Sequence, residues 1–239
     1  MDKTPKFHRV LIKLSGEMMS PEKKFGIDSK HVNYLAEEIQ SIHSFGVQTV
    51  VIIGAGNIFR GISAASKGMD RVTGDYLGML ATIMNAIALQ EALEKILCQT
   101  RTLSAITVSH MAEPYIRRRA IRHLEKGRIV IIAGGTGNPF FTTDSAAGLR
   151  AIELNADILI KATKVDGVFN KDPKQFKDAF KYNEISYDDV LRQNLRIMDL
   201  TAITLCKENN LPIRVFDIKQ SGHLKEIIMG AKLGTLVSG

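Results

Sequence analysis

Cysteine is scarce: the two residues, Cys98 and Cys206, lie far apart and show no CxxC or Cys/His ligand spacing. A disulfide framework and a zinc site are therefore without support, and reduced thiols are expected. No apolar run reaches the roughly 18 residues that a membrane span needs, and no long apolar stretch follows the N-terminal lysines. Neither a span nor a signal peptide is expected, and the chain reads as cytoplasmic. The familiar nucleotide signatures are missing too. There is no G-x-x-x-x-G-K-[ST], Gly54-Ala55-Gly56 is followed by Phe59 where G-x-G-x-x-G wants glycine, and the protein-kinase motif set is absent. None of His8, His31, His43, His110, His123 and His223 sits in a nucleophile–base pattern. Repeats and low-complexity linkers are also lacking.

What is present is a chain of 239 residues, 45% hydrophobic, long enough to bury a large core in one α/β unit. Val- and Ile-rich runs alternate with helical patterns, the signature of βαβ units and a mainly parallel buried sheet. Strands are expected at Arg9–Leu14, Gln48–Ile53, Arg101–Ile106, Arg128–Ala133, Asp157–Ala162 and Ile213–Phe216. Asp28 can cap a helix that stops at Gly46, Asp70 a long one over Arg71–Leu97, and Ser186 with Asp189 resembles a capping box. Gly127, Asn210 and Gly230 suit helix C-termini. Lys164–Phe180 breaks the rhythm and reads as an ordered loop or short hairpin. Two lobes sharing one sheet are expected, residues 1–155 and 156–239.

The formal charge of +7 implies attraction to polyanions. It is concentrated in Arg117-Arg118-Arg119 with Arg122, Lys126 and Arg128, through which Ile116, Ala120, Ile121 and Leu124 run as an apolar stripe. Those arginines are a solvated helix face or an anion site.

In an open α/β sheet ligands bind at the carboxyl ends of strands, where free backbone N–H groups converge. Three strand ends here are decorated for that purpose: Lys13-Leu14-Ser15-Gly16, Gly54-Ala55-Gly56-Asn57-Ile58-Phe59-Arg60-Gly61 and Gly134-Gly135-Thr136-Gly137. Glycines let the backbone approach phosphate oxygens closely. One such turn is ordinary βα geometry; three together beside Lys13 and Arg60 favour phosphates.

These blocks, with Thr136 to Ser145, Lys161-Ala162-Thr163-Lys164-Val165-Asp166-Gly167-Val168-Phe169 and Leu211-Pro212-Ile213-Arg214-Val215-Phe216, resemble the bacterial UMP kinase family over almost the whole chain. The resemblance implies the amino acid kinase fold, a three-layer αβα sandwich. It also implies transfer from MgATP to UMP, a homohexamer, activation by GTP and inhibition by UTP. The N-terminal lobe would take UMP and the C-terminal lobe ATP. Carried over by position, Lys13, Leu14, Ser15 and Gly16 meet the ATP phosphates, and Gly56 and Arg60 handle phosphates where donor and acceptor join. Ala55 and Asp75 face UMP, and Thr136, Gly137, Asn138, Pro139, Phe140, Phe141, Thr142 and Thr143 wrap its phosphate and base. Thr163, Phe169 and Asp172 sit at the ATP nucleoside, and Arg101 and Arg128 match effector positions. Three places depart from the family pattern: Ala55 stands where many relatives have glycine, the Ser20–Gly26 loop lacks glycines that relatives use, and Arg117 replaces an aromatic residue.

An ionised acceptor phosphate needs no general base, so the site's task is to hold two anions in line. Lys13 on the transferring group, Arg60 on the acceptor and Mg2+ across ATP oxygens are the expected cations. Lys161, at the end of its strand, is a further cation or a lysine leaving toward solvent. Asp144 orients Lys13 or simply favours a helix start. Asp199 positions metal or donor phosphate, or is a plain N-cap. Two other activities compete: a kinase of the same fold acting on a carboxylate or carbamate, against which Thr136 to Thr143 argues, and a basic nucleic-acid-binding regulator, for which no binding motif is visible.

Overall fold

A computed structural model describes residues 4–20, 22, 25–59 and 68–239. The first strand, β1 (Arg9–Leu14), shows how the layers arise. Alternation sends Val10, Ile12 and Leu14 into one apolar layer and Leu11 into the other, so β1 is covered on both faces. Burying each such aliphatic side chain contributes about 2 kcal/mol. The first face is packed by α1 (Ser29–His43), α2 (Arg71–Lys95) and α7 (His223–Ile228). The second is packed by α3 (Arg117–Glu125), α4 (Thr143–Glu153), α5 (Tyr187–Arg192) and α6 (Leu200–Glu208). This is the expected αβα sandwich.

The remaining strands are β2 (Gln48–Ile53), β3 (Thr100–Ser104), β4 (Glu113–Pro114), β5 (Ile129–Ala133), β6 (Ile158–Thr163), β7 (Val168–Phe169), β8 (Lys181–Tyr182), β9 (Glu184–Ser186), β10 (Ile213–Asp217) and β11 (Thr235–Ser238). Nine form one sheet in the order β4-β3-β5-β2-β1-β6-β10-β11-β9. Every pairing is parallel except β10 with β11. Strands from residues 1–155 fill one half and later strands the other, and the halves meet where β1 pairs β6.

All six anticipated strands form, β1 and β2 with the expected ends and the other four with ends shifted by one or two residues. β3 stops at Ser104 because the Ser104 hydroxyl donates to the Ile106 carbonyl at 2.7 Å and folds the chain away. Asp157 precedes β6 because its carboxylate accepts the N–H groups of His8 and Arg9, at 2.7 and 2.8 Å. The 164–180 segment contributes β7, which pairs antiparallel with β8 as a small hairpin. Asp28, Asp70 and Ser186 cap α1, α2 and α5 as expected, accepting from Lys30, Thr73 and Asp189 N–H.

α2 is long and apolar enough, by length and composition, to cross a bilayer, although Asp75, Asn85 and Gln90 interrupt its apolar residues. Met79, Ala81, Ile83, Ala86, Leu89 and Leu93 bury the helix against the fold, as core helices that pass the same test do. Both cysteines are buried and free.

Candidate active site

Register places Lys13 of β1 directly beside Lys161 of β6. Alternation points both toward the layer of Leu11 and Leu159, where α4 begins. Like charges on adjacent strands repel, and Asp144, in the first turn of α4, lies between them. Lys13 Nζ is 2.7 Å from Asp144 Oδ1, and Lys161 Nζ donates to Oδ2 at 2.9 Å. The three side chains keep only 11, 15 and 16% exposure for Lys13, Lys161 and Asp144. Burial alone would raise the Asp144 carboxyl; the two ammonium groups outweigh it and hold Asp144 below the ordinary carboxylate value. Burial lowers Lys161, Lys13 adds to that shift, and Asp144 only partly opposes it. Lys161 does not leave for solvent: it also donates to the Ile197 carbonyl.

The start of α4 is held from a second side. Thr142 is its N-cap, accepting from Asp144 and Ser145 N–H. Asp199 caps α6 by accepting Ala202 N–H at 2.8 Å, and its other oxygen accepts from the hydroxyls of Thr142 and Ser145. That carboxylate therefore ties α6 to the turn that aims Asp144.

Two clefts flank this charge cluster. The first, of about 380 Å³, is lined by Ala55, Gly56, Asp75, Thr136, Phe141, Thr142 and Thr143 together with Phe59, Arg71, Gly78, Met79, Thr82 and Gly135. The second, of about 560 Å³, is lined by Lys161, Thr163, Phe169 and Asp172 and by the 193–197 loop among others. Thr143 faces the first cleft, and the next residue, Asp144, grips Lys161, which faces the second. Of the two ammonium groups, Lys161 lines the second cleft, and Lys13 is tied to it through Asp144.

Gly16 begins the turn after β1 in contact with the turn after β2. A Cβ there would fall 2.5 Å from the Gly54 carbonyl and 2.7 Å from Gly56 N, so only glycine allows the two turns to touch. Leu14 is a core side chain, and its carbonyl accepts Gly54 N–H at 2.9 Å. Phe140, with φ +72°, adopts a conformation uncommon for a side-chain-bearing residue. Asp75 Oδ2 accepts its N–H at 2.8 Å and Arg71 Nε at 2.8 Å, while the Arg71 guanidinium lies 5.7 Å from the Phe140 ring. Asp75 is thus both a wall of the first cleft and a clasp on the loop that closes it. Asn138 and Pro139 complete that loop beside Gly137. Asp172 makes an Asx turn before Pro173, accepting Lys174 N–H at 2.9 Å, and is exposed at the rim.

Arg60 lies outside the described residues, as do Pro21, Lys23 and Lys24 of the Ser20–Gly26 loop. Arg101 and Arg128 are not brought to the clefts. They sit where β3 and β5 begin, at the end of the sheet opposite Lys13, and Arg128 lies 3.1 Å from His123 Nδ1. Sequence reasoning missed Arg71 and Arg196. Arg71 was legible as an i,i+4 partner of Asp75; Arg196 belongs to an irregular segment without a signal.

The amino acid kinase family model matches residues 8–217. A uridylate kinase of Dichelobacter nodosus is 53% identical over 233 residues, spanning 98% of this chain and 97% of the relative. The crystal structure of UMP kinase from Bacillus anthracis superposes with a TM-score of 0.94 at 43% identity, covering 97% of this chain and 96% of that one. UMP kinase from Ureaplasma parvum gives 0.91 at 37% identity, over 97% and 98%. With a fold of this class and a two-cleft site at its strand ends, the chain belongs to the amino acid kinase family.

Proposed function

We infer that the chain transfers the γ-phosphoryl group of ATP to the phosphate of UMP, giving UDP and ADP. The observation that carries this reading is the Lys13–Asp144–Lys161 cluster between two clefts of nucleotide-sized volume. It is supported by relatives named uridylate kinase and UMP kinase across nearly the full length. The first cleft takes UMP, with Thr136 to Thr143 around its phosphate and base and Asp75 toward the ribose. The second takes ATP, with Phe169 against adenine and Ser15-Gly16 and Gly56 against its phosphates. Lys13 and Lys161 neutralise charge on the group in flight, and Asp144 keeps both ammonium groups aimed. The acceptor oxygen is already ionised, so no proton needs to be removed.

ATP enters as its magnesium complex. No group of three His, Cys, Asp or Glu suited to a metal occurs among the described residues, and the Asp144 carboxylate is occupied by lysines. Magnesium entering with ATP would offset phosphate charge beside Lys13 and Lys161. Arg60 is assigned to the acceptor phosphate. The enzyme acts in the cytoplasm within pyrimidine nucleotide synthesis, as a homohexamer activated by GTP, with Arg101 and Arg128 as the effector candidates, and inhibited by UTP. An apolar stripe of Val72, Tyr76, Leu80 and Met84, exposed along α2, supports assembly.

The test is ADP release from MgATP with UMP, CMP, dUMP, acetylglutamate, or bicarbonate with ammonia as acceptor. UMP gives the fastest release if the reading is right. Release with a carboxylate or carbamate and none with UMP would replace it by the other kinase chemistry.

A further inference from the structure

One buried polar cluster stands behind the site without lining either cleft. Asn85 lies in α2, fully buried, between the core residues Ile83, Ala86 and Leu89. A primary amide is tolerated at such a position only when its hydrogens and its oxygen are bonded. Asn85 Nδ2 donates to the Gly54 carbonyl at 2.7 Å and to Asn57 Oδ1 at 2.8 Å, and Asn85 Oδ1 accepts from Asn57 Nδ2 at 3.0 Å. The other N–H of Asn57, itself 4% exposed, goes to the Gly26 carbonyl at 2.8 Å. Every amide hydrogen of the pair is used, and the two side chains form a closed unit.

Gly54 and Asn57 bracket the turn after β2, and that turn is the surface on which Gly16 rests. A Cβ on Gly16 would meet the Gly54 carbonyl and the Asn57 carboxamide oxygen at 2.5 and 2.6 Å, the two groups that Asn85 grips. On the same face of α2, Thr82 accepts Gly134 N–H at 2.8 Å while donating to the Met79 carbonyl at 2.6 Å. One helix face therefore bonds the turns after β2 and β5, and the turn after β1 rests, through Gly16, on the two groups that Asn85 grips.

We propose that Asn85 is a positioning residue for phosphoryl transfer. Touching neither nucleotide, it sets the separation of the Ser15-Gly16 and Gly54–Asn57 turns, and with it the alignment of donor and acceptor phosphates. This assignment rests on the kinase reading above.

The variant Asn85→Leu keeps the buried volume and removes every polar bond. It is compared with the intact enzyme for turnover at saturating MgATP and UMP, for equilibrium binding of each nucleotide separately, and for thermal melting. Misalignment predicts a kcat roughly 10- to 100-fold lower per folded molecule with each Kd within about threefold of the parent. A solely structural role would lower Tm and leave kcat per folded molecule unchanged, and that result overturns the proposal. If Asn85→Leu does not fold, Asn57→Ser replaces it, since it breaks the pair but spares the bond to Gly54. The same kcat loss is then expected, and its absence is equally fatal. Should the parent enzyme prefer another acceptor, the UMP assignment falls alone, because the variant-to-parent ratio is then read with that acceptor.

Discussion

Lys161 is retained where a lysine is costly. Its ammonium is depressed mainly by burial, so the fold would hold an apolar side chain there at least as well. Replacing it by Met is expected to leave Tm unchanged or raised while turnover falls on the order of 100-fold or more, a separation read by calorimetry beside a coupled assay. Asp144 behaves in the opposite way. Asp144→Asn leaves two ammonium groups facing each other and should cost on the order of 3 kcal/mol in denaturant unfolding. The pH dependence follows in sign. The Asp144 folded value lies below 3.8, so its stabilisation is complete above 3.8 and is lost as pH falls through the lower folded value. The Lys161 folded value lies below 10.5, so its cost is fully present below that folded value and is relieved as pH rises from it toward 10.5. Unfolding measured from pH 2 to 6 should therefore show a shallower acid decline for Asp144→Asn than for the parent.

Among the elements, the turns to which the proposed reading assigns the chemistry, after β1, β2 and β5, are held in place by α2 and α4. Gly16→Ala forces a methyl group into the Gly54 carbonyl, and because the obstacle is backbone the turns must separate. A loss of about 1–3 kcal/mol is expected in unfolding experiments, with a larger fall in kcat than in nucleotide affinity. Much of this level was legible in the sequence. Buried strands wrote themselves as apolar runs, and caps such as Asp28, Asp70 and Ser186 marked helix starts through their own hydrogen-bonding chemistry. The glycine-rich ends of β2 and β5 line the first cleft. The short strands β4, β9 and β11 were not legible, because two to four residues carry no periodicity and owe their pairing to neighbours. The Asn57–Asn85 pair was equally hidden: the partners are 28 positions apart, and an asparagine inside an apolar helix gives no sign of what it meets. The same is true of Asp199, whose links to Thr142 and Ser145 exist only once α4 and α6 pack.

For the whole molecule, the parallel sheet brings two lobes together along β1 and β6, and the lysine pair occupies that seam. Each half lines one cleft, and the proposed transfer would take place where the halves join. The exposed stripe on α2 runs along the outside of the same helix that braces the turns. Leu80→Glu is expected to reduce the sedimenting mass without unfolding the protomer, since a charge in an apolar contact disfavours association. If mass and activity both persist, that face is not the contact. The most direct measurement of the central claim is ADP release from MgATP and UMP by Lys13→Ala, with folding checked by circular dichroism. If the ammonium at the seam stabilises the phosphoryl group in transit, turnover falls by on the order of 100-fold or more while the protein stays folded; turnover equal to that of the parent would contradict it.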